Sequence, residues 1–251
     1  MNIAVEGRKY QGKSTLAFYL AERIQKRTHS YTPVFFDPKW TFRSVAHTED
    51  VDEFADMLPD AKDGLAFRPA SQFSDDDIEK VREDFTAFCE AINLESLLRH
   101  PPDRPIVIVI DEAYYLQSGK YVHPWLARLI RLATEHKIFV ILAVHRPTQI
   151  APDVRSQIDQ FFFFRQILPD DLDAVREVAD EESAEIVANL PKHHVLEYNV
   201  ESRTREVWSR PELWYRNISK DINEGEHNDR DESGITRPGN RVTIASGVTE
   251  S

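Results

Sequence analysis

Eight residues near the start of the chain, Gly7-Arg8-Lys9-Tyr10-Gln11-Gly12-Lys13-Ser14, spell G-x-x-x-x-G-K-[ST], a pattern whose chemistry is phosphate binding. In such a loop the backbone N–H groups converge on phosphate oxygens and the lysine, Lys13, reaches the β and γ oxygens. The Ser14 hydroxyl is placed to ligate Mg2+. The pattern carries weight only where a strand enters the loop and a helix leaves it. Here Asn2 to Glu6 carries Ile3 and Val5 on one face, and Leu16, Leu20 and Ile24 recur at four-residue spacing beside Ala17 and Ala21. The loop therefore ends at a helix N-terminus, where unpaired N–H groups and the positive end of the helix favour anions. Gly7 through Ser14, with Thr15 following, form the candidate site for ATP or GTP.

Two further groups complete a hydrolytic set. Ile106-Val107-Ile108-Val109-Ile110 is an unbroken β-branched run, which reads as a strand buried on both faces of a parallel sheet, and it ends in Asp111-Glu112. A carboxylate directly after such a strand is placed to hold Mg2+ with Ser14, so Asp111 and Ser14 are the candidate metal ligands. Glu112, one residue on, is placed to orient or deprotonate a water. An isolated acidic pair would more simply end a strand in solvent; the buried run before it and the intact phosphate loop favour chemistry. A second buried strand, Ile138 to Val144, delivers His145-Arg146-Pro147-Thr148 to the same edge, where His145 is either a γ-phosphate sensor or a structural strand end.

These groups need a scaffold that brings strand ends together. Thr32 to Asp37 reads as a strand closed by Asp37-Pro38-Lys39, Leu65-Ala66-Phe67 as another, and Phe161 to Phe164 as a third apolar run. Ser74 before Asp75-Asp76-Asp77 suits the start of a helix reaching about Leu98, and a charged helical pattern covers Pro169 to Leu190. Val195 to Tyr198 and Arg205 to Trp208 form a closing hairpin. Strands alternating with helices predict an α/β fold: a central, mostly parallel sheet with helices on both faces and a C-terminal β-hairpin, with ligands at the carboxyl ends of the strands.

The chain has 251 residues, 41% of them hydrophobic, which suits one core. The expected organisation is one domain over 1–217 and an acidic, disordered tail over 218–251, where large apolar groups become sparse. The formal charge of -12 argues against a protein that coats nucleic acid non-specifically, though not against local basic contacts. A lone Cys89, read as core, excludes a disulfide framework and a multi-cysteine metal site. No run approaches a membrane span, and a first strand at residue 2 leaves no room for a signal peptide, so a cytoplasmic protein without an integral membrane segment is expected.

Taken in order, the phosphate loop, Val34-Phe35-Phe36-Asp37-Pro38-Lys39, Ile108-Val109-Ile110-Asp111-Glu112-Ala113 and Leu142-Ala143-Val144-His145-Arg146-Pro147 resemble the HerA/FtsK superfamily of ring-forming, DNA-pumping P-loop ATPases. The likeness spans about residues 1 to 210 and implies a RecA/ASCE-like P-loop NTPase fold, ATP as the nucleotide with Mg2+, and hydrolysis coupled to translocation of double-stranded DNA by a homo-oligomeric ring, a pentamer or hexamer. The catalytic set it implies is Lys13, Glu112, His145 and an arginine supplied by a neighbouring subunit. Two departures stand out. His145 occupies the place of the family's glutamine, and the arginine that many relatives place ahead of the sensor strand falls here on Thr134. Arg131, one helical turn earlier, is the first candidate for that finger; Arg146, Arg155 and Arg165 follow, and Arg8 or Lys9 could act within the same subunit.

Without added membrane, barrel or winged-helix segments, the chain looks like the branch that packages viral genomes, with a capsid or vertex protein as partner and the host cytoplasm or the capsid vertex as its place. A cellular translocase or helicase working with a partner protein is the nearest alternative. An ATP-dependent assembly or switch protein with incidental hydrolysis is the alternative of another class. Gly119-Lys120-Tyr121-Val122-His123 combines a hinge, a cation and an aromatic ring, suited either to a DNA-touching channel loop or to an ordinary solvated one.

Overall fold

A computed structural model describes residues 1–61, 64–69, 77–100, 102–209 and 241–243. Its elements begin with β1 (Asn2–Glu6), α1 (Lys13–Thr28), β2 (Val34–Phe36), β3 (Ala46–Thr48), α2 (Val51–Met57), β4 (Leu65–Phe67), α3 (Ile78–Ala91), α4 (Leu94–Arg99) and β5 (Ile106–Ile110). A small hairpin, β6 (Gln117–Ser118) and β7 (Tyr121–Val122), precedes α5 (Pro124–Leu132), β8 (Ile138–Val144), α6 (Pro152–Arg155) and β9 (Gln160–Phe164). The chain continues through α7 (Pro169–Val178), α8 (Glu181–Asn189), β10 (Val195–Asn199), β11 (Thr204–Trp208) and β12 (Arg241–Thr243).

The large sheet has the order β12-β11-β10-β9-β1-β8-β5-β2-β4-β3. Neighbours from β9 to β3 are parallel, while β10, β11 and β12 extend the β9 edge in antiparallel fashion. The expected α/β architecture with its closing hairpin is present. Alternation along β5 explains why the run is wholly apolar: Val107 and Val109 enter one core with Leu16, Leu20 and Ile24 of α1, and Ile108 and Ile110 enter the other with Phe85, Phe88 and Leu126. Both layers are needed, because a parallel strand exposed on either side would leave such residues in water.

The registers set the functional edge. Glu6 pairs with Val144, Ile110 with Leu142, and Phe36 with Ile110. Strand β8 therefore runs two residues past β5 on the carboxyl side, and His145 emerges between the phosphate loop and Asp111-Glu112.

Several expectations are corrected in detail. The helix expected to reach Leu98 is two helices, because Asn93 takes a left-handed backbone (φ 52°) that asparagine tolerates; the expected cap at Ser74 lies outside the described residues. The run from Pro169 to Leu190 also breaks, at Asp180, whose side chain accepts from the Ser183 amide at 2.8 Å and caps α8. Strand β3 and helix α2 were not anticipated. The stretch Gly119 to His123 is largely the turn and second strand of a hairpin, with Gly119 at φ +57° in its two-residue loop. Of the expected tail over 218–251, only Arg241–Thr243 is described, and there its backbone pairs with Glu206–Trp208; residues 210–217 lie outside the description as well. The open edge of β11 presents unpaired backbone groups, which explains why even a short polar stretch pairs there.

Glu6 ends β1 with 1% of its surface exposed, and its Oε2 lacks a hydrogen-bond partner among the described residues. Burial pushes its carboxyl up to about 8, Asp171 adds repulsion, and Arg155 offsets part of both. An acid whose folded pKa exceeds its unfolded value holds its proton longer when folded, so its contribution to stability falls as pH rises between the unfolded value, near 4.5, and about 8. Glu6→Gln should flatten this dependence. Thermal melts from pH 5 to about pH 8.5 are expected to show wild type losing stability relative to the variant, by on the order of a few kcal/mol at the alkaline end.

Candidate functional site

The phosphate loop is braced from behind. Gln11 accepts from the Arg8 amide at 2.6 Å and donates to the Arg165 carbonyl at 3.0 Å, while His193 Nδ1 lies 3.0 Å from the Gln11 carbonyl. Tyr10 takes a left-handed φ of 64° and points outward with 84% of its surface exposed, and Gly12 turns at φ 106° into α1. Gly7 has no room for a side chain: a Cβ there would lie 2.6 Å from Phe164 Cβ and 2.8 Å from Gln11 Oε1. The loop is thus curled tightly at the N-terminus of α1, the shape that backbone amides need to meet phosphate.

Lys13 is buried, and its Nζ contacts the Arg8 carbonyl at 3.4 Å and His145 Nδ1 at 3.0 Å. On the other side of the imidazole, His145 Nε2 lies 2.8 Å from Glu112 Oε2. An ammonium can only donate, so Nδ1 accepts and Nε2 carries the proton that faces Glu112. Glu112 Oε1 meets Lys39 Nζ at 3.4 Å. Lys13, His145, Glu112 and Lys39 thus form a continuous polar chain across the strand ends. Ser14 Oγ stands 3.4 Å from Asp111 Oδ2, and Asp111 Oδ1 is buried without a hydrogen-bond partner.

The backbone explains how consecutive carboxylates serve one site. Alternation would send Asp111 and Glu112 to opposite faces, but Glu112 adopts a left-handed φ of 51°, which breaks the strand and begins a short 3-10 turn. That conformation costs a residue with a side chain roughly 1–2 kcal/mol. Asp37, at the end of β2, is wholly buried and holds the next loop by accepting from the Thr41 and Phe42 amides at 2.7 and 3.1 Å and from Arg68 Nε at 3.0 Å. Removing Arg68 would leave that carboxylate uncompensated, a loss of about 3–5 kcal/mol.

Charge crowding follows. Burial, then Glu112 and Asp37, push the Asp111 carboxyl up to about 7, against a Thr41 hydrogen bond and Lys13. Burial would raise Glu112 too, but the His145 hydrogen bond and charge, with Lys39 and Lys13, outweigh it and hold this carboxyl below the usual range. Burial lowers Lys13, partly countered by Glu112 and Asp111. The orphaned Asp111 oxygen beside the Ser14 hydroxyl fits a small divalent cation whose other ligands are phosphate oxygens and water.

The structure brings Gly7 to Thr15, Asp111, Glu112 and His145 together at one edge of the sheet. It does not assemble every arginine. Arg131 is exposed in the last turn of α5, near the amino-terminal edge of the sheet, where Asn2 bonds the neighbouring Ile130 carbonyl. Arg146 is committed to Asp171, donating through Nε to both oxygens at 3.0 Å, and Arg155 to Glu177 at 2.6 Å. His123, expected in a channel loop or a solvated one, is instead buried and caps α5 by accepting from the Trp125 amide at 3.3 Å; Lys120 and Tyr121 are exposed. Lys39, Arg68 and Tyr114 were given no role from sequence. For Lys39 the signal was its place two residues after a strand-ending aspartate; Arg68 and Tyr114 carried none.

No protein-family model and no curated protein sequence matches the chain. Solved structures do share its architecture. The genome packaging NTPase B204 from Sulfolobus turreted icosahedral virus 2, in complex with ATP-gammaS, superposes with a TM-score of 0.63 at 22% identity, covering 82% of this chain and 95% of that one. The chain has the fold of the P-loop ATPases. VirB4 of Thermoanaerobacter pseudethanolicus matches with a TM-score of 0.58 at 11% identity over 81% of this chain and 87% of that one. The bacterial conjugative coupling protein TrwBdeltaN70 matches at 0.54 and 10% identity, over 81% and 83%. The P-loop ATPase fold expected from the motifs is thus met. Among the described residues no helix is long and apolar enough to cross a membrane.

Gly7→Ala tests the cradle. Overpacking against Phe164 and Gln11 should displace the loop and weaken binding of a fluorescent ATP analogue by roughly tenfold or more, with the melting temperature of the protein falling by about a few degrees.

Proposed function

We propose that this chain is an ATP-hydrolysing DNA translocase that works as a homo-oligomeric ring and packages double-stranded viral DNA into a capsid. The observation that carries the reading is the contact chain from Lys13 through His145 to Glu112, set beside Ser14 and Asp111 at one sheet edge. A phosphate loop alone would serve a binding protein. A water-activating carboxylate joined through one imidazole to the phosphate-binding lysine suits turnover.

The loop amides and Lys13 bind the phosphates, and the arriving γ-phosphate draws Lys13 away from His145. Glu112 then accepts a proton from the attacking water, with His145 Nε2 orienting the carboxylate. Ser14 and Asp111 are the residues that would hold Mg2+, which when bound supplies charge stabilisation at the phosphates. The cleft of about 590 Å3 beside the loop, lined by Arg8, Lys9, Tyr10, Gln11, Arg165, Ile167 and Lys192, suits the ribose and base.

Arg131 sits by the amino-terminal end of β1, away from the strand ends that carry the phosphate loop, so as a finger it would act on a neighbour in a pentameric or hexameric ring. A capsid or vertex protein is the proposed partner and the host cytoplasm the proposed compartment. The likeness to a packaging NTPase over most of both chains supports this choice over a cellular translocase.

Steady-state ATP hydrolysis by the purified protein, with and without linear duplex DNA and with Lys13→Ala as blank, tests the reading. DNA should stimulate wild type. Glu112→Gln should bind the ATP analogue normally and turn over about 10²- to 10⁴-fold more slowly. Hydrolysis indifferent to DNA would favour a nucleotide-dependent assembly protein, and a Glu112→Gln variant as fast as wild type would remove Glu112 from its role.

A further inference from the structure

The turn that joins α8 to β10 is built against local preference. The His194 amide donates to the Pro191 carbonyl at 3.0 Å, which closes a β-turn with His193 as its third residue, and His193 takes a left-handed φ of 64° there. Glycine and asparagine are the ordinary occupants of such a position, because most side chains crowd their own backbone in it. A larger residue kept in that backbone points to a role for its side chain.

The imidazole has one partner of consequence. His193 Nδ1 lies 3.0 Å from the Gln11 carbonyl oxygen, which can only accept, so Nδ1 carries the proton and donates it. Gln11 stands between two left-handed residues of the phosphate loop, Tyr10 at φ 64° and Gly12 at φ 106°. Its side chain is fixed on both sides, accepting from the Arg8 amide at 2.6 Å and donating to the Arg165 carbonyl at 3.0 Å. Gln11 is therefore where the loop is fastened to the C-terminal part of the chain, by Arg165 ahead of α7 and by His193 after α8. Arg165 and Lys192, the neighbour of His193 in its turn, also line the cleft beside the loop, so the same fastening sets the far wall of the site.

The Gln11 carbonyl and the Gly12 N–H belong to one planar trans peptide, in which the two groups point in opposite directions. Drawing the carbonyl towards His193 turns the Gly12 N–H away from His193. We propose that His193 is a positioning residue for the phosphate loop: by holding the Gln11 carbonyl it aims the Gly12 amide at the phosphates. This rests on the reading of the loop as a nucleotide site, and it adds a determinant of affinity that lies 182 residues further along the chain.

Equilibrium binding of a fluorescent ATP analogue, with thermal melts of the same samples without nucleotide, tests the assignment. His193→Gly removes the imidazole and suits the left-handed backbone, so the protein should melt close to wild type while the analogue binds roughly tenfold more weakly. His193→Asn also tolerates that backbone and places an amide N–H near the position of Nδ1, and it should recover most of the affinity. Gln11→Glu still accepts from the Arg8 amide but turns an oxygen towards the Arg165 carbonyl, and it should weaken binding by a similar factor. Combined with His193→Gly, the losses should fall short of additive, because both act through one residue. In steady-state hydrolysis His193→Gly should raise KM with kcat within about twofold of wild type, the mark of an interaction made equally in the ground and transition states.

A His193→Gly protein with wild-type affinity overturns the assignment, as does a loss that asparagine fails to recover or one that appears in kcat alone. Failure of the motor reading is a different result: wild-type protein that binds the analogue but whose hydrolysis duplex DNA does not stimulate. Wild-type protein that does not bind the analogue overturns both.

Discussion

Three carboxylates, Asp37, Asp111 and Glu112, are buried along one edge of one sheet, and their mutual repulsion has to be answered within that edge. Much of the local structure is the answer. Arg68 and two backbone amides neutralise Asp37, His145 and Lys39 engage Glu112, and Lys13 lies within reach of the charge on both Asp111 and Glu112. Asp111 is short of partners, with an orphaned oxygen and a raised pKa. With Oδ1 unpartnered and Oδ2 3.4 Å from the Ser14 hydroxyl, Asp111 is the carboxylate that would hold the proposed Mg2+.

The same electrostatics explains the setting of His145. A glutamine at position 145 would offer an amide to either neighbour, but the histidine presents a lone pair at Nδ1 and a proton at Nε2, and Lys13 and Glu112 dictate that tautomer between them. Its backbone is fixed as well, because Gln149 accepts from the His145 and Arg146 amides at 3.1 and 3.0 Å. Arg146 then ties the strand end to the buried Asp171 of α7, with Thr148 donating to the same carboxylate at 3.0 Å. The nucleotide edge is thereby joined mechanically to the α7–α8 pair, the kind of rigid connection through which a local change at a phosphate can reach another surface.

Position along the chain says little about these couplings, because they run between strand ends. Strand β8 separates β1 from β5, and the residues that follow those three strands, Gly7, Asp111 and His145, are remote from one another in sequence. Hydrophobic burial on both faces holds the strands in register to within a residue, since a slip by one would turn Val107 and Ile108 into the wrong layers and carry His145 away from Glu112.

What the amino-acid sequence determined by itself is what short-range pattern can encode. The phosphate loop between an apolar strand and an amphipathic helix, the five aliphatics before Asp111-Glu112, the strand ahead of His145 and the closing hairpin are local signals, and each sits where the pattern put it. Helix breaks at Asn93 and Asp180 and the short elements β3 and α2 were less legible, because they depend on single backbone conformations and on packing rather than on periodicity. Only the tertiary structure decided the strand order, the register that puts His145 between Lys13 and Glu112, the seat of Lys39 against Glu112, and the burial of His123 as a helix cap. Those are distance relations between residues remote in sequence, set by which faces the two cores bury and by which charges must be neutralised once they are out of water, and no local pattern carries that information.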